Sequence, residues 1–115
     1  KGPDDTPDVK VDKATGPDAR TVAEIHAQKM ELKEKSVTIH GKVVKFTAEV
    51  MKKNWIHLRD GSGNASKGDN DITVTTQGTA KAGDVVLVKG IVRVNKDFGS
   101  GYTYAVIVED AKIVN

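Results

Sequence analysis

This chain contains no cysteine. Disulfides, thiolate zinc sites and thiol catalysis are therefore excluded. Aromatic residues are scarce, with one Trp, two Tyr and two Phe, so a surface that works by ring stacking has few rings to draw on. Pro3, Pro7 and Pro17 are all the prolines there are. All three lie within the first seventeen residues. No apolar run approaches the ~18 residues that cross a membrane as a helix. An excess of one charge is missing too. Eighteen Lys and Arg face sixteen Asp and Glu, for a formal net charge of +2. That is too little to mark a nucleic-acid protein on total charge.

The distribution of charge is more telling. Across residues 42–59, Lys42, Lys45, Lys52, Lys53 and Arg59 oppose a single acidic residue, Glu49. Residues 1–20 lean the other way, with Asp4, Asp5, Asp8, Asp12 and Asp18 against four cations. The length, 115 residues, suits one small domain with a modest core. The chain opens on Lys1 rather than Met. An upstream segment is therefore expected, and a signal peptide or lipid-anchor sequence is one form it could take.

Residues 1–20 are expected to be a disordered tail or tether, because they hold the prolines, five Asp and few apolar groups. Residues 21–115 are expected to form the domain. Thr21 and Glu24 have the spacing of a capping box, which predicts a short helix over about 21–29. From Ser36 the hydrophobic period changes to two. A long first strand starts there, with Val37, Ile39 and Val43 on one face and Gly41 as a bend. A second strand over about 54–60 has Ile56 and Leu58 inward and Trp55, His57 and Arg59 outward. Residues 61–70 are loop. A third strand covers 71–76, a Val-rich fourth covers 84–95 with Gly90 as its bend, and a fifth covers 102–109, extendable over 111–114. A sandwich usually needs about seven strands. Five strands behind one helix predict an all-β, five-stranded, partly open barrel.

Two stretches carry a resemblance. Val37 to Gly63, closing in Leu58-Arg59-Asp60-Gly61-Ser62-Gly63, resembles the oligonucleotide/oligosaccharide-binding (OB) domains of anticodon-binding and related nucleic-acid-binding proteins. Gly83 to Gly90 and Lys96 to Tyr104 look like small OB-fold domains of exported or lipid-anchored bacterial proteins. The resemblance spans about 21–115. It implies an OB-type Greek-key barrel that binds without catalysis, in a periplasmic or envelope-anchored location. It does not exclude the cytoplasm, and fold alone never settles function.

The expected nucleic-acid face lies on the outer face of the second and third strands and comprises Lys42, Lys45, Trp55, His57 and Arg59, joined by Phe98 and Tyr102 from the loop before the fifth strand. Bases stack on rings, and phosphates pair with Arg and Lys. Set against that, Trp55 would be covered by the N-terminal helix or tail, and the tyrosines would be core. The loop from Asp60 to Asp71 places oxygens at calcium-like spacing, but Ala65 stands where the sharp turn needs Gly. It reads better as a polar hairpin. His26, His40 and His57 lie on separate elements, so no metal site is expected. Glu109 and Asp110 point to opposite faces and make a poor acid/base pair. Asp97-Phe98-Gly99 spells a kinase tripeptide without any nucleotide loop and carries no kinase meaning. No enzyme and no cofactor are expected. The expected partner is single-stranded nucleic acid or, alternatively, an envelope protein, peptide or small ligand. A monomer without a transmembrane segment is expected.

Overall fold

The computed structural model describes residues 9–114. Two short helices, α1 (Val22–Ala27) and α2 (Lys29–Leu32), precede five strands. These are β1 (Ser36–Val50), β2 (Lys53–Arg59), β3 (Ile72–Thr76), β4 (Val85–Asp97) and β5 (Thr103–Val114). They form one sheet in the order β1-β2-β3-β5-β4, and β4 pairs back onto β1, closing the ring. All neighbours are antiparallel except β3 and β5. The alternation along β1 feeds Val37, Ile39 and Val43 into a core shared with Ile56, Leu58, Val74, Val88 and Val108.

Both bends fall on glycines, for a steric reason. A Cβ on Gly41 would lie 2.8 Å from Leu58 Cγ and 3.0 Å from the Arg59 carbonyl. A Cβ on Gly90 would lie 2.7 Å from Val108 Cγ1 and 2.9 Å from the Glu109 carbonyl. Neighbouring strands approach too closely there for any side chain. Opposite Gly90, β5 carries an extra residue, since Lys89 pairs with Lys112 while Ile91 pairs with Glu109. Asp110 takes up the slack in left-handed backbone, at φ 54°. The same bulge shifts the register of β5 against β3.

The helix expected over 21–29 is two helices, because the chain leaves α-geometry at Gln28 and resumes at Lys29. The capping box is present, with Thr21 and Glu24 bonding each other's backbone N–H groups. Val22 and Ile25 are buried.

The expected disordered tail is corrected in part. Residues 1–8 lie outside the described residues. Residues 9–20 are seated on the barrel. Arg20 N–H donates to the Thr38 carbonyl, and Thr38 N–H donates to the Asp18 carbonyl. Ala19 is buried. The N-terminal half of β1 pairs only with β4 in the ring. Its other edge is therefore a row of open backbone groups, and this segment satisfies some of them.

Candidate functional site

The β1–β2 pairing sets the outer face. Lys42 lies opposite Arg59, Lys45 opposite His57 and Thr47 opposite Trp55. Cross-strand partners have Cβ atoms about 5 Å apart, so four basic side chains form two adjacent rows that lead toward Trp55. Lys45 is exposed and Lys42 half-buried. Arg59 Nε donates to Asp71 Oδ2 at 3.0 Å, and His57 Nδ1 donates to Asp71 Oδ1 at 2.8 Å. Asp71 therefore fixes the orientation of two of the four basic groups.

Burial alone would raise the pKa of the Asp71 carboxyl. Hydrogen bonds from His57 and Arg59, and their charges, outweigh that and hold it below the ordinary value of 3.8. Glu24 is also lowered, chiefly by the Thr21 backbone N–H, and Asp18 is lowered chiefly by the Thr38 hydroxyl. A carboxylate with a depressed folded pKa stabilises the fold above its unfolded value and ceases to as pH falls through the folded one. Stability is therefore expected to be level at neutral pH and to decline once pH drops below about 4. Urea midpoints across pH 2.5–7 check this. Asp71→Asn should flatten part of the decline.

Trp55 points outward, as alternation requires, yet it is only 6% exposed. The tip of the β4–β5 hairpin covers it. Phe98 and Tyr102 meet the indole edge-on at centroid distances of 5.3 and 5.8 Å, and Tyr104 lies tilted at 5.9 Å. Such pairs stabilise beyond their area. The indole N–H donates to the Val50 carbonyl at 2.8 Å. Trp55 thus spends its ring faces inside the protein. Tyr102 remains 38% exposed, at the rim of the cluster.

β3 is buried along its whole length, including the outward Thr73 and Thr75. This corrects the expectation of an open platform on the second and third strands. On β2 the hairpin's rings occupy the ground over Trp55, and the residues of this face that keep some exposure are Lys42, Lys45, His57 and Arg59.

Three residues absent from the expected site hold the cluster down. Glu109 is 3% exposed. Lys53 Nζ lies 3.4 Å from its Oε1, and Lys96 Nζ lies 3.3 Å from its Oε2. Both ammonium groups also lie near the Phe98 ring, at 5.6 and 5.4 Å. One carboxylate therefore ties β2 to β4 beneath the hairpin tip. Strand alternation offers no sign of it, because Glu109 would be solvated on a free strand. Asp71 was legible in principle. The β2–β3 register pairs Leu58 with Ile72, which places Asp71 beside Arg59.

The loop oxygens that suggested calcium are in use. Asp60 accepts from the N–H groups of Val22 and Ser62. Asn64 accepts from Ser66 N–H, and Asp69 accepts from Asn64 N–H. His26 Nε2 donates to the Asp71 carbonyl, and His40 Nδ1 donates to the Asp12 carbonyl. Among the described residues, no group of three or more His, Asp or Glu side chains is placed to hold a metal ion. None of the described helices is long and apolar enough to cross a membrane.

Comparison with known protein families, curated proteins and solved structures yields no match.

Proposed function

We propose that this chain is a non-catalytic OB-type Greek-key barrel that binds single-stranded nucleic acid along the outer face of β1 and β2. One observation carries the reading. Cross-strand pairing brings Lys42, Lys45, Arg59 and His57 into one basic track that runs into the aromatic cluster. The track supplies phosphate contacts, and the exposed Tyr102, beside Phe98, supplies a ring on which a base can stack. The ring order β1-β2-β3-β5-β4, with β3 and β5 parallel, supports the OB-type assignment. In this reading Trp55 is a structural anchor of the hairpin and not itself a stacking face.

The test is charge reversal. Lys42→Glu with Lys45→Glu is expected to weaken binding of a mixed-sequence single-stranded DNA at least tenfold, read by fluorescence anisotropy at low salt. Both side chains are at least partly solvent-facing, so thermal stability should barely change. Unaltered binding would remove the track from the interface.

The burial of Trp55 favours a second reading. With its largest ring spent internally, the barrel has less to offer a stacked base and would serve as a module for a protein, peptide or small ligand. Absence of any DNA binding at low salt would remove the nucleic-acid reading, and a saturable peptide or small-molecule titration would then test this one.

A further inference from the structure

The seating of residues 9–12 fixes where the start of the chain meets the barrel. Val11 N–H donates to the Asp60 carbonyl at 3.2 Å, and His40 Nδ1 donates to the Asp12 carbonyl at 2.6 Å. Val9 lies so close to Gly61 that a Cβ there would overlap the Val9 carbonyl oxygen. His40 and Gly61 stand two positions from Lys42 and Arg59, at the same end of that cross-strand pair. Residues 9–12 therefore cross the β1–β2 pair one step past the last row of the basic track.

Charge complementarity points to what lies on the track. Residues 1–8 carry Asp4, Asp5 and Asp8 against one cationic side chain, Lys1. On the track, Asp71 serves His57 and Arg59. Lys42 and Lys45 make no ion pair among the described residues. Reach is sufficient, since eight residues span up to about 26 Å. The Lys42–Arg59 and Lys45–His57 rows are only about 7 Å apart. A tether this short holds its carboxylates beside the track at an effective concentration on the order of millimolar. Exposed ion pairs that are weak singly then act together. Spaced carboxylates on an acidic segment also offer Lys42 and Lys45 the same kind of partner as the phosphates of a single strand.

We infer that residues 1–8 dock on the β1–β2 track through Asp4, Asp5 and Asp8 and compete there with nucleic acid. The chain's own acidic segment then sets the affinity of the site, because a bound strand must displace it. Competition rests on the nucleic-acid reading; docking does not.

The test compares the full chain with its Asp4→Asn, Asp5→Asn, Asp8→Asn variant. Amide ¹H–¹⁵N spectra are recorded without nucleic acid, and anisotropy then follows binding of a labelled mixed-sequence single-stranded DNA. At low salt, amide shifts should differ between the two proteins over residues 42–45 and 57–59. The differences should vanish at roughly 0.5 M salt, where exposed charges are screened within a few ångströms. They should also vanish when both proteins carry Lys42→Glu and Lys45→Glu, since the contact being measured is then gone. The variant should bind the DNA about fivefold tighter at low salt. That gain should be lost in the Lys42→Glu, Lys45→Glu background, where a mere change of net charge would preserve it. Docking is overturned if the shift differences stay within residues 9–13 and 60–61, or survive the two lysine substitutions. Competition is overturned if the two proteins bind DNA alike. Shift differences over the track, with no DNA binding by either protein, uphold docking and overturn the nucleic-acid reading instead.

Discussion

Trp55→Ala is expected to cost about 4 kcal/mol of stability, the range for truncating a buried Trp. The physical reason is concentrated in one place. The indole is buried, its N–H is bonded to Val50, and three rings from the β4–β5 hairpin rest against it. Truncation leaves a void on the outer face of the barrel, and Phe98 and Tyr102 lose their main partner. For a domain of this size each kcal/mol moves the melting temperature by about 4–8 °C. A drop on the order of 20 °C should follow in a thermal melt followed by circular dichroism. Trp55→Phe keeps a ring in place and should cost roughly half as much. A loss below about 1 kcal/mol for the alanine variant would mean the hairpin does not pack on Trp55. One practical consequence concerns binding assays. Loss of nucleic-acid binding in Trp55→Ala would reflect a disordered cluster, so Trp55 substitutions do not test stacking.

Asp60→Ala is expected to cost about 3 kcal/mol, because a buried carboxylate accepting several bonds leaves its donors stranded when removed. Asp60 is 6% exposed and sits where the loop after β2 meets the start of α1. One carboxylate oxygen takes the Val22 N–H at 3.0 Å, and the other takes the Ser62 N–H and hydroxyl. Ser62 Oγ in turn accepts from Ala23 N–H. The Asp-Gly-Ser-Gly turn is thus the clamp that fastens α1 to the barrel, with Asp60 and Ser62 taking backbone donors at the helix start that have no partner within the helix. Asp60→Asn keeps the shape and one acceptor, and should cost distinctly less. Urea denaturation measures both. Hydrogen exchange should show the excess opening of Asp60→Ala concentrated in α1. A uniform change across the barrel, or none, would contradict the clamp.

These two residues also show what was legible beforehand. Period-two alternation placed the strands within a few residues, because Ile56, Leu58, Val37 and Ile39 could be satisfied only by one shared core. Gly41 and Gly90 were recognisable as bends, since a glycine inside such a strand needs a reason. Ring closure and the seating of residues 9–20 were not legible, because they depend on which backbone edges remain open after folding. The outward direction of Trp55 was legible from Ile56 and Leu58. Its burial was not, because the cover comes from residues more than forty positions away. Glu109 escaped for the same reason. A charge becomes a buried tie only once Lys53 and Lys96 converge on it from other strands. Lys42, Lys45, His57 and Arg59 were named correctly as neighbours, since an antiparallel pair fixes who stands beside whom. Phe98 and Tyr102 did join Trp55, as packing partners.

The most direct test of the nucleic-acid reading is a salt titration of the intact protein against a labelled mixed-sequence single-stranded DNA, read by anisotropy. A track making about three phosphate contacts should show log affinity falling with log salt at a slope near −2. Affinity would then drop by about an order of magnitude between roughly 50 and 200 mM salt. Saturable binding with that slope is the expected result. No binding at the lowest salt, or binding indifferent to salt, would contradict it.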